Sequence, residues 1–324
     1  MKVLITGGAG FIGSHLTERL LGDGHEVCVL DDLSTGRLAN LAGVGEHPKL
    51  QFVRETVRNE SVVNLLVQQA DVVYHLAAAV GVQLIVDRPV HTIETNIHGS
   101  EVVLAAANRF CRPILIASTS EVYGKSTDVP FREDADTVMG ATAFSRWSYA
   151  CSKAIDEFLA MAYHRQHGLP AVIVRFFNTV GPRQTGQYGM VIPRFVRAAL
   201  RGEPLTVFGT GTQSRCFADV SDILDGVLAL MAAPAARGEV FNLGSTEEIG
   251  IHDLARRIIH RTGSRSPIVF KTYEEAYGQP FDDMARRMPC LDKAARTVGY
   301  TPKVTLDACL DRIIDYFRRQ PEFA

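Results

Sequence analysis

Thr6-Gly7-Gly8-Ala9-Gly10-Phe11-Ile12-Gly13 spaces three glycines as Gly7-x-x-Gly10-x-x-Gly13, directly after the apolar run Lys2 to Thr6 and before a helical pattern reaching Leu21. In that setting each glycine has a physical job. Together they permit a tight turn, close approach of backbone to a pyrophosphate and close packing of helix on strand, while the helix N-terminus favours the anion. Asp31 ends the next apolar run, Glu26 to Leu30, where a carboxylate binds ribose hydroxyls and repels a 2′-phosphate. The reading is a dinucleotide loop that takes NAD rather than NADP; Arg37 is the feature that favours the phosphate. A solvated turn at Asp31 and Asp32, before Ser34-Thr35-Gly36, is the plain alternative.

Outward from the loop, Val72 to His75, Ile114 to Ser118 and Ala171 to Phe177 also read as strands, with helical patterns between them. Strands separated by helices imply right-handed crossovers and a parallel sheet covered on both faces. The predicted class is α/β, a doubly wound Rossmann sheet over residues 1–177. A smaller, partly interleaved second lobe, 178–324, starts near Asn178, where the pattern becomes irregular and rich in Gly and Pro. Within it, Val220 to Met231 and Val240 to Leu243 look like a helix and a strand that return to the sheet, so segments around 218–244 belong with the first lobe.

The 324 residues exceed what one core usually organises. A net charge of −2, with arginines interspersed among acids, argues against a nucleic-acid surface. The six cysteines show no Cys-x-x-Cys pair and no nearby His cluster, so neither a metal site nor a disulfide framework is expected. With no charged-then-apolar leader at Met1-Lys2-Val3 and no apolar run of membrane-spanning length, the expectation is a cytoplasmic protein without a membrane partner.

Trp147-Ser148-Tyr149-Ala150-Cys151-Ser152-Lys153 carries the chemistry. Residues four apart stand on one helical face, so the Lys153 ammonium is expected beside the Tyr149 phenol, favouring the phenolate. A cationic nicotinamide ring would add to that effect, leaving a tyrosine able to take a proton from a sugar hydroxyl. Most Tyr/Lys pairs at this spacing are solvated surface; the glycine loop gives this one something to act on. His75, beside Ala77 and Ala78, reads as a packed structural histidine, and Trp147 as a packing residue that shapes the wall of the sugar pocket.

With the glycine loop, Asp31, His75-Leu76-Ala77-Ala78, Asn96, Ser118-Thr119-Ser120-Glu121-Val122-Tyr123-Gly124 and Tyr149/Lys153 in register, the chain resembles the extended short-chain dehydrogenase/reductase family. It is similar to that family's nucleotide-sugar enzymes over nearly its whole length. The resemblance implies retained NAD that oxidises the sugar at C4 and returns the hydride after chemistry on the ketone. It also implies cofactor contacts from Gly7, Gly10, Phe11, Ile12, Gly13, Asp31, Asp32, Val57, Leu76, Ala77, Ala78, Asn96 and Ser118, as well as from Tyr149 and Lys153. Tyr149 would be the base, Thr119 would share the hydroxyl proton, and Ser120 and Glu121 would complete the catalytic set. Asn178, Val191, Val207, Phe208, Arg215 and Arg287 would surround the substrate.

Thr119-Ser120-Glu121-Val122-Tyr123-Gly124 resembles the pattern of UDP-glucuronate decarboxylases, and Arg146-Trp147-Ser148-Tyr149-Ala150-Cys151 the tyrosine segment of UDP-apiose/UDP-xylose synthases. Tyr277-Gly278-Gln279-Pro280-Phe281-Asp282-Asp283, followed by Arg286-Arg287-Met288-Pro289, resembles the stretch where those enzymes place a functional arginine. The implied reaction is decarboxylation of UDP-glucuronate to UDP-xylose or its 4-keto intermediate. The alternative is 4-epimerisation of a UDP-sugar or UDP-uronate, which shares every step through the ketone. A 4,6-dehydratase would carry an Asp-Glu pair where this chain has Ser120-Glu121, and a regulator without catalysis would tend to lose Tyr149 or Lys153. Departures from the pattern are Ser152 before Lys153, the apolar loop Ala79 to Val86, Thr56 in place of an adenine-binding Asp, and Cys290 after the proline. Amphipathic helices over Asn96 to Phe110 and Ser152 to Gln166 imply a homodimer, in which the family joins two helices from each subunit.

Overall fold

Lys2–Thr6 (β1) and Glu26–Leu30 (β2) are short and almost wholly apolar, as strands buried on both faces of a parallel sheet must be. The computed structural model describes residues 1–81, 87–186, 190–277 and 284–320. It sets these two strands beside Leu50–Val53 (β3), Val72–His75 (β4), Ile114–Thr119 (β5) and Ala171–Phe176 (β6). Beyond them come Thr179–Val180 (β7), Leu205–Phe208 (β8), Ser214–Cys216 (β9) and Ala218–Asp219 (β10); then Glu239–Leu243 (β11) rejoins the sheet. The order is β11-β6-β5-β4-β1-β2-β3, and every pairing is parallel. This is the doubly wound α/β sheet that the sequence predicts. The strand β3 escaped the sequence reading because it lies at the sheet edge and no residue of it is fully buried.

Helices cover both faces. Phe11–Gly22 (α1) packs on one face; Glu60–Gln69 (α2), Pro89–Arg109 (α3) and Arg146–His167 (α4) pack on the other. Alternation along β1 decides which residue meets which layer: Val3 and Ile5 join Leu16 and Leu20 of α1, whereas Leu4 joins Val63 of α2 and Val103 of α3. Val191–Arg201 (α5) belongs to the outer layer, while Val220–Ala232 (α6) returns to the α1 face through Ile223 and Val227. The outer layer is completed by Glu248–Gly250 (β12), Ile251–Thr262 (α7), Ile268–Lys271 (β13), Tyr273–Tyr277 (α8), Arg286–Arg287 (β14) and, after Asp292–Val298 (α9), whose Ala294 packs into the α1 face of the sheet layer, by Leu306–Arg318 (α10). Phe195 of α5, Leu254 of α7 and Ile313 of α10 form its own apolar cluster.

A clasp fastens the outer layer to α1. Arg183, at φ +69°, donates to both Glu18 oxygens (2.8 and 2.7 Å), to the Asn40 carbonyl (2.8 Å) and to His15 Nδ1 (2.6 Å). Inside the sheet layer, Arg175 of β6 pairs with Glu157 of α4 through two nitrogens (Nη2 to Oε2 2.7 Å, Nε to Oε1 3.0 Å), and Ser118 donates to the same carboxylate. Removing one partner of so buried a pair strands the other charge. Glu157→Ala is therefore expected to lower the free energy of unfolding by about 3–5 kcal/mol in urea denaturation.

Candidate active site

A parallel sheet delivers the carboxyl ends of its strands to one edge, where ligands of such folds bind. A cavity of about 480 Å³ opens there, between Gly7, Asp31, Thr119 and Tyr149 of the sheet layer and Asn178, Phe208, Arg215 and Arg287 of the outer layer.

At the nucleotide end, Gly7 takes φ +74°, and a Cβ there would stand 2.7 Å from the Ala77 nitrogen. At Gly13 it would stand 2.2 Å from the Gly7 carbonyl, so Gly7 lets the turn pass against the chain after β4 and Gly13 lets α1 dock on the turn. Gly10 caps α1 with no side-chain hydrogen bond, and the first turn carries no acid, so its amides and dipole suit an anion. Both Asp31 oxygens accept backbone N–H groups, from Ala9 (2.9 Å) and Leu33 (2.8 Å). Burial pushes this carboxyl up, and those two bonds oppose the shift. A carboxylate has about four lone-pair sites, which leaves acceptors for ribose hydroxyls. Gly10, Phe11, Ile12, Asp32, Val57, Leu76, Ala77, Ala78 and Ser118 line the same cavity. These features fit a dinucleotide.

Asn96 does not line it. Its amide instead brackets Ala79, accepting from the backbone nitrogen (2.8 Å), and donates to Ser152 Oγ (3.2 Å), tying the loop after β4 to α4. His75 is fully buried between Thr6 Oγ1 (2.7 Å) and Ser100 Oγ (3.2 Å), and burial, then the Lys153 charge, push it down to about 3. It is a structural group.

At the chemical end, Thr119 closes β5 and accepts the Glu121 N–H (3.2 Å); Ser120 and Glu121 follow in a 3₁₀ turn and also line the cavity. Tyr149, in the first turn of α4, stands near the Thr119 hydroxyl, which favours the ionised phenol. The Lys153 ammonium, on the same helix, bonds Asp156 Oδ2 at 2.7 Å, one turn further along α4. Burial, then the Glu121 carboxylate, push the phenol above its ordinary value, against the Thr119 hydroxyl and the Arg287 charge. The expected lowering by Lys153 is thus overturned by burial and by a competing acid.

Glu121 is gripped from two sides. Arg146 Nη2 lies 3.0 Å from Oε2, and Arg287 Nη2 lies 2.5 Å from Oε1. Arg287 also reaches Asn178 Oδ1 (3.4 Å), whose amide donates to the Cys216 carbonyl (2.9 Å). Arg146 was missing from the predicted site. Its signal was its position three residues before Tyr149, on the same helical face.

On the outer wall, Val191, Phe208 and Arg215 line the cavity; Arg215 Nη1 donates to the Ser214 carbonyl (2.7 Å), and the unpredicted Arg194 lies 4.1 Å from the Phe208 ring centroid. Val207 does not line it. Strand alternation turns Leu205 and Val207 into the outer core and leaves Phe208 toward the cavity. Trp147 is not part of the wall either: it packs under Gly140, where a Cβ would fall 2.1 Å from its Nε1. The predicted loop from Val82 to Val86 and the stretch Gly278 to Asp283 lie outside the described residues.

The sequence profile of the NAD dependent epimerase/dehydratase family matches residues 3–244. The UDP-N-acetyl-alpha-D-glucosaminuronate decarboxylase of Bacillus cytotoxicus is 41% identical over 321 residues, 98% of each chain. The UDP-glucuronic acid decarboxylase 1 of Xenopus tropicalis is 37% identical over 99% of this chain and 73% of its own length. Among solved structures, the UDP-glucuronic acid 4-epimerase of Bacillus cereus, with UDP-glucuronic acid and NAD, superposes with a TM-score of 0.89 at 30% identity, over 98% of this chain and 99% of that one.

Because α1 seats directly on the glycine turn, Gly13→Ala is expected to purify with at least about tenfold less bound dinucleotide, a loss of roughly 1.4 kcal/mol, measured by absorbance after release.

Proposed function

The chain belongs to the NAD dependent epimerase/dehydratase family, and from that we propose that it is a retained-NAD decarboxylase of a UDP-linked uronic acid, UDP-glucuronate first. The carrying observation is Glu121 gripped by Arg146 and Arg287 beside the Thr119–Tyr149 pair. Guanidinium groups at this end of the cavity suit a sugar carboxylate. A glutamate occupied as an ion-pair acceptor is ill suited to protonate a departing C6 hydroxyl, which counts against dehydration. The names of the relatives, decarboxylases of UDP-glucuronic acid and of UDP-N-acetyl-glucosaminuronate, support the same reading.

Bound NAD would supply the hydride acceptor for oxidation at C4 of the sugar and the donor for its return. Gly7, Gly10, Gly13 and Asp31 would hold it, with Lys153 at the nicotinamide ribose. Tyr149 accepts the C4 hydroxyl proton, and Thr119 shares that hydrogen bond. Once C4 is a ketone, the C5 carboxylate is a β-keto acid: the C5–C6 bond breaks, carbon dioxide leaves, and the electron pair enters an enolate. Tyr149 and Thr119 stabilise the enolate oxygen. A water oriented by Glu121 returns a proton to C5, and Arg287 recognises the carboxylate on entry.

We divide the chain into an NAD-binding lobe, 1–177 with 218–244, and a nucleotide-sugar lobe formed by the rest of 178–324. No described helix is long and apolar enough to cross a membrane, and all six cysteines are free; a reducing, cytoplasmic compartment fits both. A homodimer through α3 and α4 would cover Val90 and Ile93 on the first and Ile155 and Phe158, 74% exposed, on the second.

Purified protein incubated with UDP-glucuronate, and separately with UDP-N-acetylglucosaminuronate, is expected to yield a product lighter by carbon dioxide without added NAD, followed by mass spectrometry and proton NMR. An isomer of unchanged mass would make the enzyme a 4-epimerase instead. Tyr149→Phe is expected to lower kcat by about 10²-fold or more. Phe158→Asp is expected to convert dimers to monomers in sedimentation at micromolar concentration.

A further inference from the structure

Lys153 and Asp156 stand one turn apart on α4 with side chains only 2% and 1% exposed. Nζ lies 2.7 Å from Oδ2, whereas the second carboxylate oxygen, Oδ1, is buried with no hydrogen-bond partner among the described residues. A buried carboxylate left half satisfied lowers stability relative to an apolar side chain, so its presence beside the reacting groups calls for a reason. The ammonium it engages is the one a Tyr-x-x-x-Lys pair aims at the phenol.

We propose that Asp156 is a positioning residue: its carboxylate holds the Lys153 ammonium and so sets the pH at which the Tyr149 phenol gives up its proton. The proposal rests on the reading of Tyr149 as the base. Two effects act in the same direction. The carboxylate opposes a second negative charge on the phenol, and it screens the cation that would stabilise that charge.

Tyr149 is faced by Thr119 at the end of β5, Glu121 from the turn after it, and Arg287 from β14; Asp156 follows burial and Glu121 among the causes that raise it. Asp156 is itself raised by burial and lowered by Lys153, with Ser100 of α3 near enough to lower it further and Glu157 on its own helix opposing. The Lys153 charge also reaches His75 at the end of β4.

The test uses the NAD-loaded protein as Asp156→Asn, Asp156→Ser and Asp156→Glu. The pH dependence of kcat/KM is measured on the UDP-uronate turned over by the parent. Phenol ionisation is followed by ultraviolet difference, with Tyr149→Phe in each background subtracting the other tyrosines. A phenol held up by a nearby carboxylate is converted to its basic form only at higher pH. Removing the charge in Asp156→Asn should therefore move both the acid limb and the phenol titration to lower pH, by about half a unit or more. Asp156→Glu should restore both, and Asp156→Ser serves if the Asn variant misfolds. A uniform fall in kcat with the limb and the titration unmoved, or moved upward, would overturn the proposal and leave a merely structural pair. Because the phenol titration needs no sugar nucleotide, a shift there without turnover of a UDP-uronate would sink the proposed function and leave this inference standing.

Discussion

Parallel register is the constraint on which the site depends. Thr6 pairs with Leu30 on one side and His75 on the other, and Thr119 pairs with Phe176, so the strands all stop at one edge. Each stop hands over to a different piece of chemistry. After β1 comes the glycine turn, after β2 the Asp31 carboxylate, at the end of β5 Thr119 with Glu121 just beyond it, and after β6 Asn178. A slip of one residue in any strand would turn its apolar set outward and withdraw its contribution to the cavity.

The second constraint is charge inside the fold. Arg175 with Glu157, Lys153 with Asp156, and Glu121 with its two arginines all sit where little water reaches. Such pairs are weak contributors to stability, because desolvation consumes most of the attraction. The apolar layers on either side of the sheet supply the stability instead. What the pairs provide is fixed direction: a carboxylate or ammonium whose hydrogen bonds are committed within the protein presents one face to the cavity. The same dryness raises the Tyr149 phenol.

Much of this was legible in the chain because it is local. The glycine turn, Asp31 and the strand–helix alternation are short-range patterns, and the sheet follows from them. Phe208 and Val207 are adjacent in a strand, and a period of two was enough to put one in the cavity and the other in the core; a carry-over by resemblance alone missed that. Asn96 was likewise assigned to the cofactor when its amide is spent on Ala79 and Ser152. The partner of Lys153 was hidden for a different reason. The spacing 149 to 153 and the spacing 153 to 156 are both helical neighbours, and no sequence rule says which one an ammonium prefers; the answer depends on burial, which is a property of the whole fold. Arg287 meets Glu121 across 166 residues, a contact only the folded chain makes.

The return of β11 to the sheet has an evolutionary edge. Residues between β6 and β11 build part of the outer layer, yet β11 pairs with β6 along five residues and α6 fills the face over α1. The outer lobe is therefore threaded through the inner one. A chain cut near Asn178 would leave β6 as a bare, apolar sheet edge, open to pairing with another molecule. New specificities in such a protein are free to arise by exchanging the loops that line the cavity, but the two lobes cannot be shuffled as cassettes.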